Sequence, residues 1–105
     1  DKGISIGERS FLTMDNITVD NSNIGIACKD QSEAELSATE IKKCNIGLVV
    51  FQKKSEYGSA LIKVNNIKII GSVEDYLIEK GSKIIFDNKL VKGEEINLKE
   101  KIYTN

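Results

Sequence analysis

Apolar and polar residues alternate with a period of two along most of the chain, in short runs broken by Gly, Asn, Asp or Ser. This period places successive side chains on opposite faces of a strand. The pattern therefore predicts many short strands separated by tight turns. The alternation also repeats. Gly3-Ile4-Ser5-Ile6 recurs as Gly25-Ile26-Ala27-Cys28 and again as Gly47-Leu48-Val49-Val50, each step being 22 residues. The second half of the unit follows suit. Leu12, Met14, Ile17 and Val19 align with Ala34, Leu36, Thr39 and Ile41. Beyond an insertion near residues 55–60 the same spacing returns as Ile62, Val64, Ile67 and Ile69. A fourth copy is weaker: Tyr76, Ile78, Ser82, Ile84 and Phe86, with Val91 in the last column. Lys89 falls where an apolar residue is expected, and a local shift puts Leu90 in its place.

No such unit can bury its own apolar side, whereas stacked units bury one another's. The expected fold is all-β: a parallel β-helix, or solenoid, of about four coils of about 22 residues. One loop insertion near residues 55–60 interrupts it, and the whole chain, 1–105, forms one domain. Leucine-rich repeats have overlapping periods, but Leu is scarce and the L-x-x-L-x-L-x-x-N pattern does not recur. An antiparallel sandwich is the other alternative, and it leaves the matched positions of Gly3, Gly25 and Gly47 unexplained. The turn positions Asn16, Asn66 and Asn88 are equivalent, with Ala38 interrupting the column. Asn tolerates left-handed backbone, and its amide can bond to the Asn above.

Composition supports strands and narrows the chemistry. Ile, Val and Thr make up 26 of 105 residues, with 16 Ile against 7 Leu; branching at Cβ suits a pleated surface. A net charge of −1 supplies no basic excess to displace counterions from phosphates, which argues against nucleic acid as partner. No apolar run approaches the roughly 18–20 residues of a membrane span. The chain has no His, which excludes Ser-His-Asp and Cys-His catalysis and His metal sites within it. Neither a translation start nor a signal peptide is legible in Asp1-Lys2-Gly3. The expectation is a C-terminal fragment of a longer solenoid. Charged residues 94–105 read as a cap or partial coil. The N-terminal coil has no comparable cover, so self-association through it is expected.

The runs Asp1-Lys2-Gly3-Ile4-Ser5-Ile6-Gly7-Glu8, Ile24-Gly25-Ile26-Ala27-Cys28-Lys29-Asp30-Gln31-Ser32 and Ile46-Gly47-Leu48-Val49-Val50-Phe51-Gln52-Lys53-Lys54-Ser55-Glu56-Tyr57-Gly58 resemble the right-handed parallel β-helix of the pectin-lyase-like superfamily. More narrowly, they resemble β-helix segments of large bacterial surface or secreted proteins, some of which carry spore-coat-H-type kinase domains. The resemblance spans about residues 1–88 and implies right-handedness and an extracellular or cell-surface location in a bacterium. It implies little about activity, because the superfamily includes lyases, hydrolases, epimerases, adhesins and spacers. None of the kinase's active-site sequence is recognisable, so kinase activity is not carried over.

Three groups of residues carry candidate chemistry. Polar and ionisable residues follow the first strand of each unit: Glu8, Asp30, Gln52 and Lys80 form one approximate column, with Arg9, Lys29, Lys53 and Lys54 nearby. Glu8, Lys29 and Asp30 are the candidates if the chain is a polysaccharide-active lyase, hydrolase or epimerase, since proton abstraction needs acidic and basic groups together. The structural reading is a solvated face whose opposite charges offset one another. In the insertion, Tyr57 can stack on a sugar ring while Lys53, Lys54 and Glu56 bond its hydroxyls; the structural reading is loop packing. Cys28 reads as a buried thiol, and Cys44, at a turn with Ser22 and Ser72, is placed too differently for a disulfide. No cofactor and no metal is implied. The expected role is a non-catalytic spacer or a carbohydrate- or protein-binding surface of a larger protein. The alternatives are a fragment of a polysaccharide-active enzyme and a module that stacks end to end.

Overall fold

The alternation folds into strands in a computed structural model that describes residues 2–7, 9–51, 60–79 and 81–92. In chain order these are β1 (Lys2–Ile6), β2 (Phe11–Asp15), β3 (Thr18–Asp20), β4 (Ile24–Lys29), β5 (Glu33–Lys42), β6 (Ile46–Phe51), β7 (Leu61–Ile70), β8 (Glu74–Ile78), β9 (Lys83–Phe86) and β10 (Lys89–Lys92). They form two sheets. The first is parallel, in the order β1-β4-β6-β8. The second is mixed, in the order β10-β9-β7-β5, with β2 and β3 both lying along the far side of β5.

Strand register follows the repeat. Ile6 pairs with Cys28, Cys28 with Val50 and Val50 with Ile78. In the second sheet Leu12 pairs with Ala34, Ala34 with Ile62 and Ile62 with Ile84. The six-residue lengthening between Phe51 and Leu61 shifts the pairing of Glu33 to Leu61 without disturbing the columns. Between the sheets, Ile26, Leu36, Leu48, Val50, Ile62 and Ile84 are at most 1% exposed. Buried hydroxyls serve the backbone across the same spacing. Ser32 Oγ accepts from Ser10 N–H at 3.3 Å, and Ser82 Oγ from Ala60 N–H at 3.1 Å.

Each corner is made by left-handed backbone. Asn16, Ala38, Asn66 and Asn88 share one column, with φ of 58°, 47°, 59° and 71°. Asn21, Lys43 and Gly71 share another, with φ of 59°, 55° and 72°. Asn leads because its short polar side chain tolerates this region, while Ala38 bears strain there. The amide-to-amide bond expected in the Asn16 column instead joins Asn45 Nδ2 to Asn23 Oδ1 at 2.6 Å.

The glycines have a different reason. A Cβ on Gly25 would lie 2.6 Å from Gly47 O and 2.8 Å from Ile41 Cγ2; one on Gly47 would lie 2.5 Å from Asp75 O and 2.9 Å from Ile69 Cγ2. Neither needs positive φ. They are small because here the two sheets and the neighbouring strand backbone converge.

The expected four-coil parallel β-helix, and the solenoid description with it, is corrected on three counts. First, the structure is two sheets in a compact all-β globule of 33 × 29 × 21 Å. The three short segments expected of each unit survive only in the first; in the next two, the second and third merge into the ten-residue β5 and β7. Second, the fourth repeat is not completed. Asp87 and Asn88 are both left-handed, where the same corner of earlier units has one such residue, Asn16, Ala38 or Asn66. As the two-residue loop between the paired Phe86 and Lys89 they make a hairpin turn, and β10 runs back antiparallel to β9, with Val91 paired to Ile84. Val91 therefore never reaches the column of Ile69, and Leu90 is 47% exposed. Third, the middle strands of the first sheet, β4 and β6, are buried on both faces. Ala27, Val49, Phe51 and Leu77 form a second apolar cluster, on the face turned away from the core between the sheets. The runs Ile24–Lys29 and Ile46–Phe51 are nearly unbroken apolar sequence, as strands covered on both sides require. Of the expected insertion, residues 55–59, and of the expected cap, residues 94–105, lie outside the described residues.

Candidate functional site

The reversal at Asp87 and Asn88 opens a groove. β9 pairs only with Leu61–Val64 of β7, so among the described residues the second half of β7 has no following strand on that side. Its inward residues Ile67 and Ile69 are left half-buried. Facing them, Tyr76 ends the column Ile4, Ile26, Leu48, Tyr76. Ile26 and Leu48 are fully buried, whereas Tyr76, the last member, is 40% exposed. Phe86, the last residue of β9, tilts against it, with ring centroids 5.4 Å apart and planes at 49°.

The resulting groove is about 370 Å³. Ile67, Ile69 and Val91 give it apolar lining, Tyr76 and Phe86 an aromatic one, and Asp75 and Lys89 opposite charges. This volume lies within the range of small-molecule sites, which combine apolar lining with a few polar groups. The sequence carried a signal for it: an aromatic pair, Tyr76 and Phe86, in columns otherwise aliphatic. The fourth copy read as degenerate because its residues no longer serve a continuous core.

A second, more polar concavity of about 220 Å³ follows the bends of β5 and β7, lined by Asn16, Thr18, Glu40, Asn66 and Lys68 among others. Glu40 contacts Lys42 at 3.0 Å, and this hydrogen bond raises the Lys42 ammonium above its ordinary value. Both side chains are solvent-exposed, so the pair adds little stability.

Of the residues singled out from sequence, Glu8, Lys53, Lys54, Glu56 and Tyr57 lie outside the described residues. Lys29 ends β4 and is half-buried. Asp30 follows it in a tight left-handed turn, φ 51°, and is fully buried. Its N–H donates to Phe51 O at 3.2 Å, and its carbonyl accepts from Arg9 N–H at 2.9 Å. These backbone bonds tie the corner to its neighbours, and the Asp30 side chain is enclosed rather than turned to solvent. Among the described residues no group of three or more His, Cys, Asp or Glu is placed to hold a metal ion. No helix among them is long and apolar enough to cross a membrane.

Both cysteines are buried free thiols. Cys28 Sγ donates to Leu61 O at 3.7 Å. Burial pushes its thiol up to about 12 from 9.0, and nearby Glu33 adds to it. Because the folded value is raised, the stabilisation linked to Cys28 is complete below about pH 9 and is lost as pH rises towards 12. Relative to Cys28→Ala, the wild type is expected to lose thermal stability more steeply across that window. At pH 8 its thiol should resist iodoacetamide until the chain unfolds. Equal slopes, or rapid native-state alkylation, would show that the thiol is not buried.

No family model matches the chain, and no curated protein or solved structure shows significant similarity to it.

Proposed function

We propose that this protein is a non-catalytic carbohydrate-binding module of a larger secreted or cell-surface protein, with the groove beside Tyr76 as its ligand site. The groove's composition carries the reading. A pyranose has apolar C–H faces and an equatorial belt of hydroxyls. Tyr76 and Phe86 offer aromatic surface to the faces, while Asp75 accepts from hydroxyls and Lys89 donates to them. A catalytic reading lacks comparable support, since Asp30 is enclosed. The role expected of Tyr57 in sequence, an aromatic platform flanked by opposite charges, is here assigned to Tyr76.

Screening the protein on a glycan array and titrating the best ligand calorimetrically tests this. Tyr76→Ala should weaken binding about tenfold or more, from lost stacking and buried area. Tyr76→Phe should retain most of it. No binding to any glycan at millimolar concentration, or equal affinity for Tyr76→Ala, would refute the assignment.

A further inference from the structure

We propose that the groove beside Tyr76 selects sugars that carry an acetamido group, the N-acetylated hexosamines. The inference rests on the reading of that groove as a carbohydrate site and adds to it the class of ligand.

Asp75 reaches the groove through an exception in the repeat. Ile46 pairs with Glu74 and Leu48 with Tyr76, which puts Asp75 beside Gly47, in the column of Gly3, Gly25 and Gly47. In that column a side chain collides with the second sheet: a Cβ on Gly25 meets Ile41, and one on Gly47 meets Ile69. β10 turns back along β9 instead of adding the next residue beyond Ile69. The space there is open, and a carboxylate stands where the preceding layers hold only glycine. Asp75 is exposed and lines the groove. Lys89, the first residue of β10, brings the opposite charge to it.

The floor is apolar. Ile67 and Ile69 are the inward residues of β7 there, and Thr39, the polar member of the Ile67 column, is buried one layer below. An unsubstituted hexose would turn hydroxyls onto this surface, where they would lose water and gain no partner. The charges narrow the ligand further. A uronate is drawn to Lys89 and repelled by Asp75, and a free amino sugar meets the reverse. One carboxylate, one ammonium and an aliphatic floor match a neutral group that has an N–H, a carbonyl and a methyl. An acetamido group has all of these. Its N–H donates to Asp75, its carbonyl accepts from Lys89 and its methyl lies on Ile67 and Ile69, while the pyranose face stacks on Tyr76.

Calorimetric titration of the full chain with matched β-1,4-linked disaccharides tests this. The probes are the disaccharide of N-acetylglucosamine, its de-N-acetylated diamine, cellobiose and the corresponding glucuronate disaccharide. The acetylated sugar should bind about tenfold more tightly than each of the others, or better. Asp75→Ala and Lys89→Met should each weaken it about tenfold while changing cellobiose by less than about twofold. Both residues are exposed, so both variants should keep the wild-type circular dichroism. Equal affinity for cellobiose and the acetylated sugar, both lost in Tyr76→Ala, would overturn the selection and leave the carbohydrate site standing. Tighter binding of the glucuronate or the diamine would do the same. An acetylated sugar held equally well by both charge variants would overturn the roles of Asp75 and Lys89. If none of the probes binds at millimolar concentration the inference falls, and the glycan array decides separately whether the site binds carbohydrate at all.

Discussion

Gly25→Ala should destabilise the protein by about 2–3 kcal/mol, whereas Gly7→Ala should change stability by less than about 0.5 kcal/mol. The contrast isolates close approach from the intrinsic preference of Ala over Gly. An added Cβ at Gly25 meets Gly47 O at 2.6 Å and Ile41 Cγ2 at 2.8 Å, while one at Gly7 meets nothing within 4 Å. A carbonyl oxygen held in a ladder cannot rotate away, so the strand or the facing sheet must shift. Gly47→Ala should behave like Gly25→Ala, since Asp75 O and Ile69 Cγ2 stand in the same relation to it. Urea denaturation of the three variants measures this; on a domain of this size each kcal/mol moves Tm by several degrees. A Gly25→Ala variant as stable as Gly7→Ala would mean that the sheets are not packed this closely.

Phe51→Ala should cost more, about 3–5 kcal/mol, against less than about 0.5 kcal/mol for Val73→Ala. Phe51 is fully buried, in the cluster with Val49 and Leu77 on the outer face of the first sheet. Removing it takes away a large apolar side chain and leaves a cavity that neighbouring strands cannot collapse to fill. Val73 is 80% exposed. The pair distinguishes a sheet covered on both faces from one with an exterior open to water, where Phe51 would be a surface residue and its truncation nearly neutral. Chemical denaturation read by circular dichroism decides between them.

Much of the local architecture was legible because it rests on short-range rules. Alternation marked the strands, the recurrence of Gly3, Gly25 and Gly47 fixed which residues pair, and apolar columns survived the insertion between Phe51 and Leu61. The turns were legible at Asn16, Asn66 and Asn88, and less so at Ala38 and Lys43, where neighbouring strands impose that backbone. The hairpin at Asp87 and Asn88 was less legible, because the repeat predicts that the chain continues as before. The candidate groove left only its aromatic pair as a trace, for the same reason. Tyr76, Phe86 and Val91 looked like a worn fourth copy, and only the reversal of β10 turns them into the lining of a cavity.

The sequence by itself determined that this chain is all-β, which residues stand beside one another across neighbouring strands, and that no histidine chemistry operates in it. Those properties follow from side-chain period and composition, which act over a few residues. Tertiary structure alone decided that the strands form two sheets in a compact body, that the middle strands of the first sheet are covered on both faces, and that the last strand turns back. These outcomes depend on how distant surfaces meet, and on a difference of one left-handed residue in a turn, whose consequence is set by the strands it joins.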